Sequence, residues 1–351
     1  MCGTFIFLND CSNQRHRDYT ARGLRSIKGS AVNRRLAFVF GCLAPWAAAQ
    51  SPEGGYPSRP LRLIVPFSAG SFSDMLCRLL APEMAALLGQ PITVENIPGA
   101  GATLGTARAK TAAPDGYTLV YAGSSAFATN VSLMQLSYDP VKDFRHVGMI
   151  GYANYVLAAH PGVAFADFAA LVARAKAAPG ELAYASPGNG TSSHLTMEVV
   201  SRQAGMRLRH IPYKGSAPGV NDLVAGHVPL MLDPQSTLLP HDRAGKLRAL
   251  VVTGSQRIRE LPDTPTFAEL GLKGFEISLG WFGLAVPAGT PDAVIEKLNA
   301  ALGTAMQRAA PRVAELGVIA AFDSPEAFRR FVGTEIPRYR QLIQDIGLKL
   351  D

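Results

Sequence analysis

Two short stretches combine glycine with small polar residues at points where a strand should feed a helix. Phe67-Ser68-Ala69-Gly70-Ser71 runs into Asp74, and Gly188-Asn189-Gly190-Thr191 runs into His194. Such a loop leaves the first helical N–H groups without carbonyl partners, and these groups and the helix dipole attract an anion. Glycine allows close approach of the backbone, and the hydroxyls of Ser68, Ser71 and Thr191 can donate hydrogen bonds. Ser124 and Ser125, after Gly123, form a third crest of this kind. The chemistry these residues suit is the holding of a small carboxylate, with no reaction performed on it.

Other reactive side chains fit less well. Asp74 can face a ligand or cap the helix it precedes. A Ser/His/Asp triad can be written with Ser192 or Ser193, His194 and Asp233. However, the serine would adjoin its histidine in sequence and no G-x-S-x-G elbow is present. His194 therefore reads as a helix-capping or hinge-facing residue. Lys214 is the cation on a crest, either solvated or turned to a ligand. Asp233 ends an apolar run and can meet a ligand amine or cap the strand end. Of the four cysteines only Cys77 lies beyond residue 49, on an apolar helix face, which suits a small core residue. No Cys/His metal spacing and no phosphate-loop lysine motif occur. The run Gly99-x-Gly101-x-x-x-Gly105 lacks dinucleotide-fingerprint spacing. No cofactor and no metal are expected.

The elements that must position these residues alternate. Leu61 to Val65 is an apolar strand, followed by a helix opening at Ser73 or Asp74 and ending at Gly89. Leu76, Leu79, Leu80, Met84 and Leu87 mark its buried face, and Pro82 should bend it. Strands at 91–96 and 117–122 enclose a helix reaching Ala113, so a parallel sheet with right-handed crossovers is expected. Strands at 147–150 and 155–159 and a helix at 167–178 follow. The second strand–loop–helix unit runs from Leu182 to Gly205, with its helix from Ser193 or His194. Strands at 208–213, 228–233, 247–253 and 278–286 come next, with helices through Val224, at 266–270, at 291–309 and at 325–342.

The chain has 351 residues, 17% charged and 48% hydrophobic, with a formal charge of +7. This is globular rather than disordered. Residues 1–49 hold seven of the 34 basic residues and two of the 27 acidic ones. The remainder is near neutrality, which removes the main support for nucleic-acid binding. Arg34-Arg35, the apolar run Leu36 to Trp46, and Ala47-Ala48-Ala49 read as a cleavable secretory signal behind an upstream segment.

Five ordered motifs carry a resemblance to a known family. They are Pro66-Phe67-Ser68-Ala69-Gly70 with Asp74, the segment Val94 to Gly101 (VENIPGAG), and Pro114 to Leu119 (PDGYTL), then Gly188 to Leu195 (GNGTSSHL) and Pro212-Tyr213-Lys214-Gly215. The chain resembles the periplasmic solute receptors of tripartite tricarboxylate transporters (the Bordetella uptake gene type) over residues 56–351. The resemblance implies an α/β, type II periplasmic-binding-protein fold, with two doubly wound α/β lobes, a hinge and a central cleft. Lobe one would be 56–157 and 280–351, and lobe two 158–279. It implies a small carboxylate ligand (a di- or tricarboxylate, an amino acid or an aromatic acid) held by loop amides and ordered waters. Delivery would be to membrane permease subunits, by a periplasmic monomer. The expected ligand-binding set is Phe67, Ser68, Ala69, Gly70, Ser71, Asp74, Ser124, Ser125, Gly188, Asn189, Gly190, Thr191, His194, Lys214 and Asp233, with no catalytic residue. Ser71 departs from the family's second glycine, and Phe72 adds bulk beside it. Two rival readings are a periplasmic sensor feeding a two-component kinase and an α/β enzyme on the same fold.

Overall fold

The computed structural model describes residues 55–275 and 280–350. The leader, and the first residues of the strand expected at 278–286, lie outside the described residues.

The elements follow in chain order: β1 (Leu61–Val65), α1 (Phe72–Leu88), β2 (Ile92–Asn96), α2 (Thr103–Lys110), β3 (Thr118–Gly123), α3 (Asn130–Leu133), β4 (Phe144–Ala153), β5 (Tyr155–Ala159) and α4 (Phe168–Ala177). Next come β6 (Ala183–Ser186), α5 (Ser192–Ala204), β7 (Arg209–Pro212), α6 (Ser216–Val224), β8 (Leu230–Pro234), α7 (Gln235–Arg243) and β9 (Arg248–Val252). The chain closes with β10 (Trp281–Pro287), α8 (Asp292–Arg308), α9 (Ala310–Glu315), β11 (Val318–Ala320) and α10 (Pro325–Ile346).

They form two sheets. One has the order β11-β4-β10-β3-β1-β2, the other β7-β6-β8-β5-β9. In the first, β1 lies parallel to both β2 and β3, and β10 is antiparallel to β3 and β4. In the second, β6 lies parallel to both β7 and β8, and β5 is antiparallel to β8 and β9. Thus β1 and β6 hold equivalent places. Each is flanked by two parallel strands, the position at which α/β sheets bind ligands beyond their carboxyl ends. In β1 only Arg62 of LRLIV reaches solvent, as expected of a strand covered on both faces.

The chain changes sheets at Asn154, because β5 pairs wholly within the second sheet. That is three residues before the boundary expected between 157 and 158. A strand cannot give up half its ladder without orphaning buried amides, so the crossing falls between strands.

Helix α1 opens at Phe72, one or two residues earlier than expected, since Ser71 caps it. It runs unbroken through Pro82, which sits on the solvent side, where water can satisfy the freed carbonyl. Gly89, in the left-handed conformation at φ 73°, ends it. Cys77 is buried against the core. The helix expected at 266–270 is a turn. Thr266 and Glu269 do form a reciprocal capping box, but Gly271 ends the segment after one turn.

Candidate functional site

The two loops that leave β1 and β6 are built alike. Gly70 (φ 76°) and Gly190 (φ 67°) each turn the chain left-handed. The next residue is extended and caps the helix, Ser71 at φ −71°, ψ 162° and Thr191 at φ −74°, ψ 160°. Ser71 Oγ accepts from the Asp74 amide at 3.3 Å, and Thr191 Oγ1 accepts from the His194 amide at 3.4 Å. The cap carbonyls take the next amides, Met75 and Leu195. In each helix the first two amides remain, Phe72 and Ser73 in α1, Ser192 and Ser193 in α5. The helix supplies no carbonyl for them.

All four of these residues line one cavity of about 40 Å³, room for on the order of three waters. Phe67, Ser71, Ser124, Ser125, Thr191 and Asp233 line it too, together with Tyr121, Tyr155, Ser216 and Trp281. Tyr121 bonds Ser73 and Tyr155 bonds Ser192, and burial pushes both phenols up. Phe282 packs on Phe72 at 5.0 Å and on Tyr121 at 5.8 Å, an aromatic floor. No Lys, Arg or His is among the lining residues.

The charge in this wall is Asp233, which is fully buried. Its carboxylate accepts from Ser193 Oγ at 3.3 Å and Thr237 Oγ1 at 2.6 Å, and also from Ser216. Burial outweighs these three hydroxyls and pushes its pKa up to about 7.

The rims of the two lobes meet around the cavity. Ser124 and Ser192 share a 2.7 Å hydroxyl contact. A Cβ at Gly101 would collide with the Asn189 carbonyl, one at Gly190 with the Asn130 amide, and one at Gly215 with Ser68. Beside this contact, Gly101 is flanked by Ala100 and Ala102, both at positive φ (46° and 77°). Such strain in non-glycine residues persists where the surroundings enforce it, often at sites of function.

Comparison with known proteins gives the chain its family. The family model described as tripartite tricarboxylate transporter family receptor matches residues 76–348. Protein BugT of Bordetella pertussis is 37% identical over 322 residues, 90% of this chain and 98% of its own. The chain belongs to the tripartite tricarboxylate transporter receptor family. Among solved structures, the periplasmic binding protein BugD has a TM-score of 0.79 at 34% identity, covering 84% of this chain and 99% of its own. MatC from Rhodopseudomonas palustris, with bound malate, has a TM-score of 0.76 at 33% identity, covering 82% and 100%. The fold is the two-lobed α/β fold of periplasmic binding proteins.

Within this receptor the expected binding residues separate into three groups. Phe67, Ser71, Ser124, Ser125, Thr191 and Asp233 line the inner cavity. Gly188, Asn189 and Lys214, with Phe67 again, line an adjoining outer hollow of about 200 Å³. Ser68, Ala69, Gly70, Asp74, Gly190 and His194 line neither. Asp74 is a brace behind the first loop. It accepts from the Gly70 amide, Arg78 and Asn96, each at 2.9 Å. Burial raises its pKa, but these three donors outweigh it and hold the carboxyl below its ordinary range. The cap is Ser71, the counterpart of Thr191 in the second loop. Ser71 also lines the cavity, to which its own hydroxyl proton can be donated.

His194 is likewise a brace. Its Nδ1 accepts from the Gly190 amide at 3.1 Å, and its ring stacks on His210 at 3.9 Å. Among the described residues no hydrogen bond joins it to Ser192 or Ser193, whereas Ser193 bonds Asp233 directly. The triad that can be written in sequence does not assemble.

Sequence reasoning missed Tyr121, Tyr155, Ser216 and Trp281. Tyr121 and Trp281 look like ordinary core aromatics. The signal present was positional, since Ser216 opens a helix after Lys214-Gly215 and Tyr155 begins the strand after the sheet change.

Proposed function

We propose that this receptor captures a small carboxylate between its two lobes and delivers it to the membrane permease of a tripartite tricarboxylate transporter. The carrying observation is that the four first-turn residues whose amides the helices leave without carbonyls, Phe72, Ser73, Ser192 and Ser193, line one cavity from both lobes. An anion bridging two helix N-termini binds the closed form better than the open one, so it shifts the population toward closure. Bound malate in MatC supports a carboxylate as the class. The receptor acts in the periplasm as a monomer once the signal segment is cleaved. It performs no catalysis: the engaged His194 supports this, since among the described residues it bonds none of the cavity serines.

A thermal-shift panel on the purified chain tests the reading, with acetate, malate, citrate, aspartate and benzoate against sugars and cations. At least one carboxylate should raise Tm by RT ln(1 + [L]/Kd) divided by the unfolding entropy. Stabilisation by a sugar or cation alone would overturn it.

A further inference from the structure

The receptor closes on an anion without a cation to meet it. Where many anion sites would present Arg or Lys, the inner cavity presents Asp233, walled by Ser193 from α5, Ser216 from α6 and Thr237 from α7. Among the described residues Asp233 has no ion-pair partner. The titratable groups on the elements packed around it do not supply one. Tyr155 on β5 is held neutral, and Asp233 is among the charges that hold it so. His194 on α5 is neutral and turned to Gly190 and His210. On α6, Asp222 is half-buried and bonded to Tyr213 and His227. On α7, Asp242 takes the Ala249 amide. Lys214, just before α6, opens on the outer hollow instead.

We propose that closure on a carboxylate captures one proton from solvent on Asp233, so that the receptor carries its anion together with a proton. This rests on the carboxylate reading above. Two like charges enclosed in one cavity of low polarity raise each other's proton affinity, and the buried member takes the proton. No covalent bond changes; the proton passes from water to a carboxylate oxygen of Asp233 as the cleft closes. Once protonated, Asp233 becomes a donor of one hydrogen bond, which one of the three surrounding hydroxyls can accept. Burial has already brought its pKa to about 7 without a ligand, so little further shift is needed.

The linkage has a definite sign. Below the pKa of the unliganded form Asp233 is protonated in both states, and binding is independent of pH. Above it, binding requires proton uptake, so affinity falls as pH rises, by at most tenfold per unit. Isothermal titration with malate at pH 7.5, in phosphate, HEPES and Tris, measures the uptake. The slope of apparent enthalpy against buffer ionisation enthalpy gives the protons bound. The expected result is an uptake approaching one proton in the native receptor, with Kd rising several-fold from pH 7 to pH 8. In Asp233→Asn the proton uptake vanishes and the affinity that remains no longer varies with pH. Binding with no uptake in the native receptor, or uptake that survives in Asp233→Asn, overturns the inference and leaves the carboxylate reading intact. If malate gives no heat, the panel member that raised Tm takes its place. If none did, both fail together.

Discussion

At Asp233 burial and charge pull against each other, and stability should record it. Its pKa is raised from the ordinary carboxylate value to about 7 in the fold. A raised carboxyl stabilises the fold fully below its unfolded pKa and progressively less as pH rises through the folded one. Asp233→Asn should therefore stabilise the ligand-free receptor at pH 8 by on the order of a few kcal/mol, raising its Tm, and change little at pH 4. Calorimetry at the two pH values checks this, and a lower Tm at pH 8 would count against a buried charge. The histidines act in the opposite sense. Burial lowers His146 to about 4, His194 to about 4 and His210, beside His194, to about 3. Groups depressed in this way stabilise above their unfolded value near 6.5 and lose that contribution as pH falls toward the folded one. Between pH 6.5 and 4, then, Tm should fall despite the opposing gain from Asp233. The fall should steepen in Asp233→Asn and flatten in a His194→Gln, His210→Gln double variant.

On the proposed reading the functional elements are the two loop-capped helices, and their equivalence makes a graded prediction. Ser71→Ala removes the cap of α1 and should cost about 1 kcal/mol in urea unfolding, whereas Ser71→Gly should cost only a few tenths. Equal losses would mean that the hydroxyl matters for something other than capping. These elements were legible in the chain because each joins an apolar run, a Gly/Ser/Thr loop and a helical period at close range. The exact cap was not, since Asp74 and Ser71 are both acceptable there. The choice depended on where Arg78 and Asn96 would pull the carboxylate. The strand β11 and helix α7 were not legible, as three residues of ladder and a polar helix carrying Pro240 leave weak periodic signals. Nor was the antiparallel placement of β10, which follows from a return across the molecule. Tyr155, Ser216 and Asp233 meet at the cavity only because β5, α6 and β8 are assembled from distant parts of the chain.

For the molecule as a whole, closure is, on the proposed reading, the act that creates the site, and glycines at the rim permit it. Gly101→Ala would carry backbone strain of the kind Ala100 and Ala102 already carry beside it, and its Cβ would strike the Asn189 carbonyl across the cleft as well as the Asn130 side-chain amide. The variant should fold, hold an open form in small-angle scattering even with ligand, and bind at least tenfold more weakly. An unchanged affinity would mean that the lobes need not meet there. The central claim is that one carboxylate is gripped by the first-turn amides of both lobes. Amide chemical shifts of Phe72, Ser73, Ser192 and Ser193, followed by nuclear magnetic resonance during titration with a carboxylate that raises Tm, test it most directly. All four should move downfield together and saturate at one ligand per chain. Saturable binding that leaves these four amides in place would contradict the account.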